Sequence, residues 1–186
     1  MNRFLSAFEL VTSALGRAEV EYVVVGSVAA TFWGLLRTTI DIDIILMVPQ
    51  SGGDELITDL RKSGLYVPIE TAREALQSTG SFNVLDTQTS GKVDIFVCDP
   101  DDAFETMRLE RRVEAQILGT STCIATAEDI ILSKLRWRST SSSDVQWRDC
   151  LEIAAVNDLD VDHLRTWAPV IGVSEDLERL LASGPE

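Results

Sequence analysis

VVVGSVAATFWGLLRTTIDIDIIL, residues 23–46, is the stretch whose reading decides the fold. It opens as a β-branched run, EYVVVG at 21–26, which reads as a short strand ending in glycine. Ser27 then opens an apolar segment, 27–36, that it is placed to cap as a helix. A second strand is expected over 40–48, closed by Pro49 and the Gly52, Gly53 pair. Two carboxylates, Asp41 and Asp43, interrupt that second strand.

The flanking sequence extends the pattern outward. Apolar Phe4, Leu5, Phe8, Val11 and Leu15 recur at helical spacing before Gly16, and a further helix is expected over about 54–63. Residues 80–89 and 91–98 read as two antiparallel strands around a turn at Ser90 and Gly91, with a helix at 101–112. Residues 113–126 add one or two edge strands. From Thr126 onward the chain reads as helical, with Ser143 and Gln146 spaced as a capping box after a polar, serine-rich link at 138–143. The expected fold class is therefore α/β (α+β): a mixed twisted sheet with helices packed on it, residues 1–125, and a helical C-terminal extension, residues 126–186.

Composition fits one globular core, at 186 residues and 45% hydrophobic. The longest uncharged run, 22–36, falls short of the roughly 20 residues of a membrane span. The N-terminal segment is broken by Glu9 and Arg17 and reads as an amphipathic helix, so a soluble, cytoplasmic protein with no membrane partner is expected. Cys98, Cys123 and Cys150 show no CxxC spacing and His163 is the lone histidine, which argues against thiolate or imidazole metal sites. A formal net charge of -14 opposes an extensive nucleic-acid surface and favours divalent cations or a basic protein partner.

Alternation along a strand places Asp41 and Asp43 on one side, with Ile40, Ile42 and Ile44 on the other. Taken alone, such a pair reads equally as a solvated strand end. Two carboxylates about 7 Å apart repel each other, and water, basic groups or cations must keep them ionised. Asp94, in KVDIF, is a third acid set among apolar strand residues. Hard oxygen donors of this kind suit Mg²⁺, and a pair of such ions suits in-line displacement at phosphorus. Gly26 permits close approach of backbone to a ligand, and Ser27 begins a helix whose free N–H groups favour an anion. Lys134, Arg136, Arg138 and Arg148 either hold a triphosphate or are solvated helix faces paired with Glu128 and Asp149. Trp33, Trp137, Trp147 and Trp167 read as packing residues, and His163 as structural or exposed.

In this order, a strand ending in GS, a helix, a strand carrying DxD and a later strand acid, residues 23–97 resemble the nucleotidyltransferase superfamily related to DNA polymerase beta. Arg37, Thr39, Asp41 and Asp43 match the R-x-T-x-D-x-D run of its minimal bacterial group, which includes the abortive-infection, type IV toxin enzymes of the AbiEii kind. EDIILSKLRWR and QWRDCLEI resemble that group's lysine helix and RD motif. The resemblance implies that Asp41 and Asp43 bind Mg²⁺, two ions in all, and that Asp94 shares a metal and helps deprotonate the acceptor hydroxyl. Gly26, Ser27, Arg37, Lys134 and Arg148 are implied to bind the nucleotide, with Asp149 orienting Lys134 or Arg148. The implied activity is transfer of a nucleoside monophosphate from an NTP to a hydroxyl of an unidentified acceptor: a protein, a tRNA or a small molecule. An antitoxin-like protein partner belongs to the same picture, and Arg108, Arg111 and Arg112 or the Lys134 helix are implied to handle a tRNA end. The alternatives are an inactive nucleotide-binding or partner-binding protein of the same fold, and an antibiotic-modifying transferase.

Overall fold

A computed structural model describes residues 3–36, 41–48, 52–117, 119–141 and 143–183, with backbone alone for 3–6. The chain begins with helix α1 (Arg3–Arg17), strand β1 (Glu21–Val25), helix α2 (Gly26–Phe32) and strand β2 (Ile42–Met47). Helix α3 (Gly53–Lys62), strand β3 (Leu65–Tyr66), helix α4 (Ile69–Ser78) and the hairpin β4 (Ser81–Asp86) and β5 (Gly91–Val97) follow. Helix α5 (Ala103–Glu110) leads into a second hairpin, β6 (Val113–Ile117) and β7 (Thr120–Ile124). The chain closes with helices α6 (Ala127–Ser141), α7 (Asp144–Val156), α8 (Val161–Trp167) and α9 (Ser174–Ala182).

The strands form one mixed sheet in the order β3-β4-β5-β2-β1-β7-β6. At its centre β2 runs antiparallel to β1 and parallel to β5, and β1 runs parallel to β7. Alternation decides what each face carries. In β2 and β5, Ile42, Ile44, Leu46, Val93 and Ile95 are fully or almost fully buried, while Asp43, Lys92, Asp94 and Phe96 point to the other, more open face. Helix α1 lays Phe8, Val11 and Leu15 into the core against β5 and α3. Helices α6 and α7 pack on each other, and α6 also touches α2, α8 and α9. Among the described residues, no helix is long and apolar enough to cross a membrane.

Several local expectations change. Strand β3 and helix α4 occupy 65–78, which the sequence pattern left unassigned. Helix α2 begins at Gly26 and stops at Phe32, well short of Leu36, and its N-cap is Val25 with no side-chain cap, so Ser27 does not cap it. Trp33 halts it by donating its indole N–H to the Ala125 carbonyl at 2.8 Å, and Gly34 follows at φ +95°. The loop between β4 and β5 is longer than a two-residue turn. It is organised by Asp86, which accepts from the Gln88 N–H at 2.9 Å and the Thr89 hydroxyl at 2.6 Å.

The serine-rich link is mostly helix. Ser139, Thr140 and Ser141 turn their hydroxyls back onto the carbonyls of Arg136 and Trp137, and α6 runs on to Ser141. The expected capping box is not formed, because Ser143 makes no side-chain cap and Gln146 instead accepts from Lys134. Thr126 does cap α6, accepting from the Asp129 N–H at 3.3 Å.

Candidate active site

The β1–β2 ladder ends with Val25 opposite Asp43, and the next residue is Gly26. Gly26 is required there twice over. Its φ is +66°, and a Cβ built on it would lie 2.1 Å from Asp43 Oδ2. The Asp43 carboxylate therefore lies directly against the backbone where β1 turns into α2. On its other side, β2–β5 register sets Asp43 beside Asp94, with Asn83 of β4 next in line. Adjacent strands are about 4.8 Å apart, so two carboxylates share one small area of the open sheet face.

Asp41 stands just before β2 and is exposed, so the DxD pair straddles the strand end and does not lie wholly within the strand. It is still near enough to act on Asp43. Burial first, then the charges of Asp94 and Asp41, push the Asp43 carboxyl up to about 6, with Lys92 and Lys134 opposing them. Among the described residues, the Asp43 carboxylate makes no hydrogen bond or ion pair. Asp94 is less exposed to this conflict, since Lys92 Nζ lies 2.8 Å from its Oδ2. Among the described residues, no three Asp, Glu, His or Cys side chains already form a metal cage. The donor set nevertheless fits a hard divalent cation: a half-buried carboxylate without a partner, two further acids acting on it, and a backbone cradle that only glycine leaves open.

Lys134 lies on α6, and its Nζ is 2.6 Å from Asp149 Oδ2 and 3.2 Å from Gln146 Oε1, both on α7. Both members of this pair are buried, and the lysine reaches Asp43 electrostatically. The implied tie of Asp149 to Lys134 is thus present in the fold. Arg148 and Asp149 line an adjoining cleft of about 420 Å³, with Leu35, Leu36, Val145 and Glu152 on its walls. Two of the other cations considered for a triphosphate are engaged elsewhere. Arg138 bridges both oxygens of Asp176 at 2.7 and 2.8 Å, and Arg136 lies 3.6 Å from Asp102. Arg111 sits 3.8 Å from Glu128 and Asp129, and Arg112 3.4 Å from Glu21. Arg37 lies outside the described residues.

Three solved structures share this architecture. An antigenic nucleotidyltransferase-like protein from Paracoccidioides brasiliensis superimposes with a TM-score of 0.58 at 18% identity, covering 97% of this chain and 94% of its own. The fold is that of a nucleotidyltransferase. The lincosamide antibiotic adenylyltransferase LnuA, lincomycin-bound, gives a TM-score of 0.54 at 13% identity over 81% of this chain and 96% of its own. The antibiotic-resistance factor ANT(2'')-Ia gives 0.53 at 16% identity over 98% and 92%. No family model and no curated protein matches the chain. In this fold the turn at Gly26 and the Asp43 and Asp94 pair lie together, and Lys134, tied to Asp149, is near enough to act on the Asp43 charge. Sequence reasoning missed Lys92, although its i, i+2 spacing from Asp94 on one strand face was legible.

Proposed function

We propose that this protein is a Mg²⁺-dependent nucleotidyltransferase that moves a nucleoside monophosphate from an NTP to an acceptor hydroxyl and releases pyrophosphate. The observation that carries the reading is Asp43: a half-buried carboxylate with no bonded partner among the described residues, wedged against Gly26 and in register with Asp94. Asp41, Asp43 and Asp94 would hold the metal. When bound, Mg²⁺ would neutralise charge on the triphosphate and on the departing pyrophosphate. Gly26 and Ser27 would hold the nucleotide phosphates, and Arg37 and Arg148 would join them. Lys134, kept in place by Asp149, would add positive charge beside the phosphates. The acceptor oxygen attacks the α-phosphorus, the bond to the bridging oxygen breaks with its electron pair, and Asp94 receives the hydroxyl proton.

The acceptor reading follows the neighbours. Two of the three similar folds act on or resist antibiotics by their printed names, which favours a small-molecule acceptor over the tRNA or protein of a toxin-like enzyme with an antitoxin partner. One observation favours a second reading. Lys92 already neutralises Asp94 at 2.8 Å, as it would in a nucleotide-binding protein that no longer turns over. The experiment separates the two. Purified protein is incubated with α-labelled NTPs, Mg²⁺ and cell-extract fractions of small molecules, RNA and protein, beside an Asp41→Ala, Asp43→Ala variant. Label in one fraction, absent with the variant, supports transfer and names the acceptor class. Mg²⁺-dependent NTP binding by calorimetry with no labelled product rejects transfer and supports the second reading.

A further inference from the structure

A cavity of about 330 Å³ opens between α5 and α6, lined by Phe104, Arg108, Ser133, Arg136, Trp137 and Thr140. It uses a different face of α6 from Lys134, whose ammonium is turned toward α7. Its volume falls within the roughly 300–1,000 Å³ of small-molecule sites.

Arg108 is the unusual group in it. Only 6% of the residue is exposed, yet among the described residues its guanidinium has neither a hydrogen bond nor an ion pair within 4 Å, and its Nε is buried without any acceptor. Its contact is the Phe104 ring, 5.3 Å away. The carboxylates of Glu105, Asp129 and Asp102 act on it through space without bonding it. A buried cation with no bonded anion among the described residues is costly, so proteins pair it or leave room for a ligand to do so. Here the room exists. Arg136, which also lies 3.6 Å from Asp102, brings a second guanidinium to the same cavity. Two guanidinium groups match a doubly charged anion better than a single carboxylate, and their planar forks suit phosphate oxygens.

Trp137 supplies the rest. It was expected to be a core or helix-packing residue, but 65% of it is exposed beside the two arginines. An exposed indole next to a cationic pocket offers a stacking surface for a planar ring. The Ser133 and Thr140 hydroxyls donate to backbone carbonyls at 2.7 and 2.9 Å, so their oxygens remain able to accept from the ligand.

We infer that the α5–α6 cavity is a second binding site, separate from the Asp43 centre, for a phosphate monoester joined to a planar ring, such as a nucleoside monophosphate. Its phosphate would lie on Arg108 and Arg136 and its ring on Trp137. The test is calorimetric titration of AMP, adenosine and inorganic phosphate into the full chain in metal-free buffer. The wild type is compared with Arg108→Leu, Arg136→Gln and Trp137→Ala. Arg136 is half exposed, so its variant keeps the fold even if Arg108→Leu does not. Saturable AMP binding is expected, with inorganic phosphate at least about tenfold weaker and adenosine not bound. Arg108→Leu should abolish it, Arg136→Gln should weaken it about fivefold or more, and Trp137→Ala should bring AMP down to the affinity of inorganic phosphate. Absence of saturable AMP binding would overturn the inference. So would adenosine binding as tightly as AMP, or wild-type affinity in both arginine variants.

Discussion

Asp43 and Asp129 are both carboxylates removed from water, and they are kept in opposite company. Asp129 is fully buried at the start of α6. Its Oδ1 is 2.8 Å from His163 Nε2, and Arg111 lies 3.8 Å from its Oδ2. That cluster ties α5, α6 and α8 together, and it holds the only histidine of the chain. Asp43 has the other arrangement. Among the described residues the charges acting on it most strongly are acids, and the lysines that reach it, Lys92 and Lys134, are each bonded to another carboxylate. The difference shows how one residue type serves two ends: bonded internal partners, the His163 ring and Arg111, make Asp129 a structural tie, and the lack of such partners among the described residues leaves Asp43 suited to an external cation.

Removing each acid should therefore break different things. Asp43→Ala should lower nucleotidyl transfer by about 10³-fold or more, equivalent to about 4 kcal/mol in the barrier, with the fold intact by circular dichroism. Asp129→Ala should do the reverse. It leaves His163 and Arg111 without their shared anion, and urea denaturation should show a loss of about 3 to 5 kcal/mol.

The same comparison has a pH signature. The folded Asp43 carboxyl, at about 6, titrates above its ordinary value of 3.8, so the folded state holds this proton more tightly than the unfolded chain. Ionised Asp43 thus destabilises the fold above about pH 6, and the penalty fades as pH falls from about 6 toward 3.8. At about 1.4 kcal/mol per tenfold, it amounts to about 3 kcal/mol. Asp43→Asn should accordingly be more stable than the wild type in metal-free urea melts above pH 6.5 or so, with the gap closing by about pH 4. The smallest effect is expected where solvent screens a pair. Arg165 and Glu178 form a two-pronged bond at 2.8 and 3.1 Å on the surface, and Arg165→Ala should leave the urea midpoint unchanged within error.

Much of the Asp43 region was legible in sequence because it rests on local chemistry. A β-branched strand ending in glycine and a lone acid in each of two apolar strands single out Gly26, Asp43 and Asp94, while only the strand register brings Asp43 beside Asp94 and against the Gly26 turn. The antiparallel β4–β5 pair and the Thr126 cap follow from equally local rules. What was missed depends on partners distant in sequence. Trp33 stops α2 by reaching Ala125, and Gln146 leaves its expected cap to bind Lys134 from the preceding helix. Ser139, Thr140 and Ser141 stay helical because their hydroxyls bond back to the helix's own carbonyls, where composition alone indicated a link. Helix α4 carries only Ala72 and Ala75 as buried residues, so its apolar period was faint. Arg108, considered in the sequence only as a contact for a tRNA end, gave no sign of its burial, since an arginine on an amphipathic helix is ordinarily solvated and only the packed fold buries it.

The central claim is that Asp43 awaits an external cation where Asp129 has internal partners. Titration of Mn²⁺, read by its electron paramagnetic resonance signal, tests this without reliance on turnover. The wild type and Asp129→Asn should bind Mn²⁺ alike, and Asp43→Asn should bind it at least about tenfold more weakly. Equal Mn²⁺ binding by the wild type and Asp43→Asn would contradict the account.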